Sequence, residues 1–266
     1  MGQSRFLHLG LIVAVAMLAA CGHDAHEKEI TLKSIYGDGA AKAKYGPAGS
    51  GTGAITGKAL WGEATPMRFA PFPIKGDAFC EQKRPSGIEN EAFVLNDDGK
   101  TMRNVFVQIK LGIKKRYPAP SKPALLDQVN CQYTPHVLGV MVGQTLEFRN
   151  SDPILHNVHA VPRVKKPEIN LPQSGARTDS VTFSKPEPVM VRVFCDVHGW
   201  MSSYVGVMTH PFFQVTGKDG SFELKNVPSG VYLLEAWSEA MEEPLTAEVT
   251  VEAGKATEVN FTFKQN

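Results

Sequence analysis

The stretch Val193–Met201, VFCDVHGWM, places Cys195, His198 and Met201 at intervals of three residues. A thiolate, an imidazole and a thioether form a soft ligand set, and softness selects copper over magnesium, calcium or manganese. Zinc accepts cysteine and histidine, but a structural zinc site wants four such ligands and leaves no role for the methionine. One cysteine, two histidines and a weakly bound axial methionine make up the ligand set of a mononuclear type 1, or blue, copper centre. That reading requires a second histidine, and FRNSDPILHNVH supplies His156, eight residues after Phe148. Cys195 binds only as the thiolate, so the metal itself would drive off its proton.

The elements that must position these residues read as short strands. In GQTLEFRN, Leu146, Phe148 and Asn150 alternate with Thr145, Glu147 and Arg149, the period of two of a half-buried strand. In PVMVRVFC, Val189, Val191, Val193 and Cys195 share one face, so the thiol leaves a strand on its apolar side. AFVLNDDGKTMRNVFVQIKL reads as two apolar runs around an Asp-Asp-Gly turn. After His210, FQVTGKDGSFELKNVPSGVYLLEAWSE reads as three strands joined by Asp-Gly and Pro-Ser-Gly turns. LTAEVTVEAGKATEVNFTFK then adds two more. No long stretch carries a helical period, so the expected class is all-β, a sandwich or barrel.

On these residues the chain resembles the cupredoxins, such as plastocyanin and amicyanin. His156-Asn157 matches the upstream ligand of that family, and Cys-x2-His-x2-Met at Cys195, His198 and Met201 matches the spacing of its short ligand loop. The flanking runs VMVRVF and YVGVM match its strands, and the match is good from about 139 to 208. The resemblance implies a Greek-key β-sandwich binding one type 1 copper through His156, Cys195, His198 and Met201. Asn157 would tie the two ligand segments together. The loop departs from the family at Asp196 and Val197, where a small polar residue and a proline are usual; the charge of Asp196 would lower the reduction potential. Residues 211–266, with DGSFELKNVPSGVYLLEAW, resemble small transthyretin-like sandwiches found as carboxypeptidase regulatory domains. At that size the unit should pack against the first domain. Trp237 and Glu239 are read as packing and surface residues.

The chain start sets the compartment. Leu9–Ala20 is an apolar run too short for a comfortable membrane span and suited to a signal peptide. It ends in Leu-Ala-Ala-Cys at Cys21, which resembles the bacterial lipoprotein lipobox and implies cleavage before a lipid-bearing cysteine. The expected organisation is a signal over 1–21, a flexible tether over 22–50, a cupredoxin-like domain over 51–210 and the transthyretin-like domain over 211–266. Export implies an oxidising compartment on the periplasmic side of a cell envelope. Of the four cysteines, Cys21 is assigned to lipid and Cys195 has metal-ligand company, which leaves Cys80 and Cys131 to pair.

A net charge of +1 argues against nucleic acid as a main partner. The basic clusters Lys114–Arg116 and Arg163–Lys166 read as solvated loops. His159 should point away from His156, since residues three apart lie on opposite strand faces; His159 and His136 read as ordinary polar residues rather than ligands. The expected function is a non-enzymatic one-electron carrier between redox proteins, tethered by lipid. The alternatives are a copper store, an adhesion module, or a relative of the copper oxidoreductases. The last needs further histidine clusters, whereas the remaining histidines beyond the signal run are scattered at His23, His26, His136, His159 and His210.

Overall fold

The computed structural model describes residues 44–164 and 168–265. The signal run, Cys21, most of the expected tether with His23 and His26, and the basic residues Lys165 and Lys166 lie outside the described residues. The regular structure of the described residues is almost wholly strand, the all-β class expected, with one short helix at Ala78–Lys83. Asp77 caps that helix by accepting a hydrogen bond from the Cys80 N–H at 2.9 Å.

Two sheets carry the site-bearing half. One orders the strands Ile169–Ser174, Leu155–Val161, Val191–Phe194, Ser202–Met208 and Val137–Met141; the other orders Arg177–Thr182, Thr145–Asn150, Ala124–Gln128 and Tyr133–Thr134. The period-two faces explain why they close on one another. Leu146, Phe148 and Asn150 are buried from one sheet, and Val191, Val193 and Cys195 from the other. Val189 departs from the sequence reading: the strand begins only at Val191, and Val189 stands 43% exposed in the bend before it.

The second core is assembled from both ends of the described chain. The long strand Gly46–Trp61 pairs antiparallel with Ser221–Trp237 and parallel with Ala256–Glu258 and Phe261–Phe263. Phe106–Leu111 pairs with Ser221–Trp237 and with Phe213–Val215. Ile55, Val107 and Ile109 therefore share one apolar cluster with Phe222, Leu234 and Phe263. The sequence reading drew a boundary between residues 210 and 211. The strand pairing instead joins residues on both sides of that line, and the site-bearing core, formed by Cys80 and residues of 126–207, is threaded between them. Two local readings change for the same reason. Gly46–Ser50, expected in the tether, already belong to the long strand, and Pro228-Ser229-Gly230, expected as a turn, is crossed by the strand Ser221–Trp237. The register shifts between Pro47 and Thr52 absorb the proline.

The two halves meet over glycine. Gly139 and Gly206 are opposite one another in the pairing of Val137–Met141 with Ser202–Met208. The stacked rings of Phe106 and Phe213, 5.7 Å apart, lie against them. A Cβ on Gly206 would come within 2.6 Å of the buried Phe106 ring. Gly206→Ala is therefore expected to cost about 1–3 kcal/mol through overpacking, read as a lower urea midpoint with an unchanged m-value.

Candidate metal centre

His156 enters from the start of the strand Leu155–Val161, where His156, Asn157 and Val158 are buried in succession. Cys195 continues the inward face of Val191 and Val193 past the end of its strand. The loop that follows is closed by its own backbone. The Met201 N–H donates to the His198 carbonyl at 2.9 Å, and the Cys195 N–H donates to the Met201 carbonyl at 3.2 Å. The spacing of three is what lets this tight loop bury Cys195, His198 and Met201 while Asp196 and Val197 stay exposed.

The structure brings the ligand atoms of His156, Cys195 and His198 within 4.8 Å of one another. The two Nδ1 atoms are 2.9 Å apart, and Cys195 Sγ is 3.8 Å from His198 Nδ1. Metal–sulfur and metal–nitrogen bonds of about 2.0–2.3 Å leave neighbouring ligand atoms roughly 3–4 Å apart, so the set fits one small ion. Met201 packs in the same core as Cys195, and both are 1% exposed. His156 is 0% and His198 3% exposed, so water has no direct access to the donors.

Burial works against charge on Cys195, but hydrogen bonds from His156, His198 and the Asn157 N–H outweigh it and bring the thiol down to about 6. Burial also opposes charge on His156, yet Asp152 and Cys195 raise its pKa. Each of the two side chains thus favours the charged form of the other, and a metal cation held between them would do for the thiolate what a proton on the imidazole does.

Asn157 joins the two ligand segments. Its Oδ1 accepts from the Asp196 N–H at 2.7 Å, while its Nδ2 donates to Asp196 Oδ2 at 2.7 Å and to Asn170 Oδ1 at 3.1 Å. The buried Tyr133 hydroxyl donates to the Asn157 carbonyl at 2.6 Å, on the core side of the same strand. His159 turns to the opposite face from His156. There it stacks on Phe194 at 4.5 Å between Asp196 and Glu168, whose carboxylates raise its pKa.

His136 lies between Glu239, at 2.6 Å, and Glu91, at 3.8 Å, and so ties the site-bearing half to both ends of the chain. Glu239, read from sequence as a surface residue, also accepts from the Tyr204 hydroxyl at 3.0 Å. His210 hydrogen-bonds the Ile109 carbonyl at 3.0 Å, and burial holds its pKa down at about 4.

Two carboxylates at the site, Asp152 and Asp77, were not singled out in the sequence, whereas Cys80 and Cys131 were expected to pair but not beside the ligands. Cys80 and Cys131, which form a disulfide, stand beside it rather than in a remote loop: Cys131 lies with Asp152 and His156, and Cys80 with Asp77 and His198. Asp152 Oδ2 is 2.9 Å from His156 Nε2, and Asp77 Oδ2 is 3.5 Å from His198 Nε2. The one local signal for Asp152 is its position four residues before His156 in SDPILH. Asp77 announces itself only as a helix cap.

No protein-family model matches the chain, and no curated protein matches it. Solved structures do. Part of the chain is similar to cupredoxins. An oxidised proline variant of amicyanin is 25% identical, covering 32% of this chain and 81% of its own, with a TM-score of 0.29. A purple cupredoxin from Nitrosopumilus maritimus is 22% identical, covering 32% of this chain and 98% of its own, with a TM-score of 0.27. A copper-containing nitrite reductase from Thermus scotoductus is 22% identical over 40% of this chain, with a TM-score of 0.30. The chain spans 26% of that enzyme's length.

Proposed function

We propose that this chain is an exported type 1 copper protein that passes single electrons between redox proteins, held to a membrane by lipid on Cys21. The observation that carries the reading is the inward convergence of two Nδ1 atoms and one sulfur, 2.9 and 3.8 Å apart, in a pocket closed to water. His156, Cys195 and His198 would hold the metal, with the buried Met201 beside them. Copper bound there supplies a Cu(II)/Cu(I) couple that takes up or releases one electron.

The chain's own contribution is stiffness. Asn157 and the two backbone bonds of the 195–201 loop fix the ligand segments against one another before any metal arrives. Ligands held in this way change position little when the metal changes charge, which keeps the cost of each transfer low. The chain's groups do no bond-making in this reading.

Voltammetry of the copper-loaded protein tests the assignment: a reversible one-electron wave is expected. Tightly bound Cu(I) with no wave would make the chain a copper store instead. A pH dependence follows from the lowered thiol. Copper affinity should fall as the pH drops below about 6, where a proton competes for the Cys195 sulfur. It should be insensitive to thiol ionisation from well above that value up to 9.0, the range in which an unshifted thiol is still losing its proton. Competition titrations with a chelator across that range read both arms.

A further inference from the structure

We infer that Asp152 and Asp77 are positioning residues that turn the Nδ1 atom of each ligand histidine toward the metal and bias the centre toward the divalent state; this rests on the copper reading above. Asp152 is the stronger case because it sits in a built cradle. It is 3% exposed, and its Oδ1 accepts from the Asn130 N–H at 2.7 Å. Its Oδ2 accepts from the Cys131 N–H at 2.8 Å and faces His156 Nε2 at 2.9 Å. Asn130 and Cys131 both adopt positive φ, 52° and 60°, a costly conformation for side-chain-bearing residues that aims two successive N–H groups at one carboxylate. With two backbone N–H groups already aimed at its oxygens, Asp152 is placed to accept the Nε2–H of His156. The Nδ1 lone pair is left for the metal.

Asp77 plays the equivalent part for His198 from the other end of the disulfide. Its Oδ2 is 3.5 Å from His198 Nε2, and its Oδ1 caps the helix that carries Cys80. The Cys80–Cys131 bridge thereby holds both carboxylates to the outer edges of the two imidazoles. A negative charge on each outer edge stabilises Cu(II) more than Cu(I), since the interaction scales with the charge of the ion. It therefore lowers the reduction potential.

The test compares midpoint potentials of the copper-loaded full chain with those of Asp152→Asn and Asp77→Asn. Asparagine removes the charge and can keep one acceptor oxygen toward Nε2–H, its amide nitrogen then standing where an oxygen accepts from the Asn130 N–H in Asp152 and from the Cys80 N–H in Asp77. Asp152→Asn is expected to raise the potential by at least a tenfold change in the ratio of Cu(II) to Cu(I) affinity, about 59 mV for one electron. Asp77→Asn should shift it in the same direction by less, because the Asp77 side chain is 27% exposed. An unchanged or lowered potential in either variant overturns the charge bias, and Asp77→Asn decides alone if Asp152→Asn does not fold. Nitrogen-15 spectra of the metal-free wild type, taken at a pH where His156 is neutral, read the orientation separately: the Nε2–H tautomer of His156 is expected, and an Nδ1–H with a bare Nε2 overturns it. If the wild type gives no copper wave, the copper reading fails with it; if only the variants fail to shift, the inference alone falls.

Discussion

Cys195→Ser is expected to weaken copper binding by more than about a hundredfold, since even the loss of a residue that merely orients a ligand costs roughly 10–100-fold in metal affinity. Serine nearly preserves shape at a position that is 1% exposed, and its hydroxyl can still accept from the Asn157 N–H. The fold should therefore persist while the soft donor is lost. The hydroxyl does not ionise near neutral pH, so the partnership between Cys195 and His156 disappears as well. Chelator competition on wild type and variant, with urea unfolding of both metal-free proteins as control, separates metal loss from unfolding. Equal affinity would remove Cys195 from the ligand set.

Removing the disulfide should have the largest effect on stability. Cys80 and Cys131 are 51 positions apart, and closing a loop of that length restricts the unfolded chain by about 4 kcal/mol. The double variant Cys80→Ala, Cys131→Ala is expected to lose stability of that order in guanidinium unfolding of the metal-free protein. Both half-cystines are completely buried in the site-bearing core, so lost packing adds to the effect. The variant should also bind copper more weakly, because the bridge secures Asp77 and the Asn130–Cys131 cradle around the histidines. A variant as stable as wild type would mean that the packed core, rather than the bridge, holds this corner.

Residues that act through local spacing were readable before the fold. Cys195, His198 and Met201 lie on one loop, and strand periodicity alone places Cys195 on an apolar face. His156 could be joined to them because it follows a strand whose inward face is marked by Leu146 and Phe148. The two carboxylates were not readable. Asp77 reaches His198 only through the folding of the Ala78–Lys83 helix against the ligand loop, a contact between distant parts of the chain. Asp152 depends on two successive positive-φ residues, of which Asn130 is of a type that favours that conformation and Cys131 is not.

The same distinction runs through the fold. Alternation identified strands such as Thr145–Asn150, but alternation does not say which strand lies beside which. The pairing of Gly46–Trp61 with Ser221–Trp237 has no local signature, and it overrode the turn signal of Pro228-Ser229-Gly230. Gly139 and Gly206 show the converse. As strand glycines they read as weaknesses, yet they are the surface on which the Phe106 and Phe213 rings rest.

Titration of the metal-free protein with Cu(II), followed by visible absorption, tests the central claim most directly. A thiolate bound to Cu(II) beside two imidazoles should give an intense colour that saturates at one copper per chain and is absent from Cys195→Ser. A protein that stays colourless after taking up copper, or a colour that survives in Cys195→Ser, would contradict the assignment of Cys195, His156 and His198 to a single copper centre.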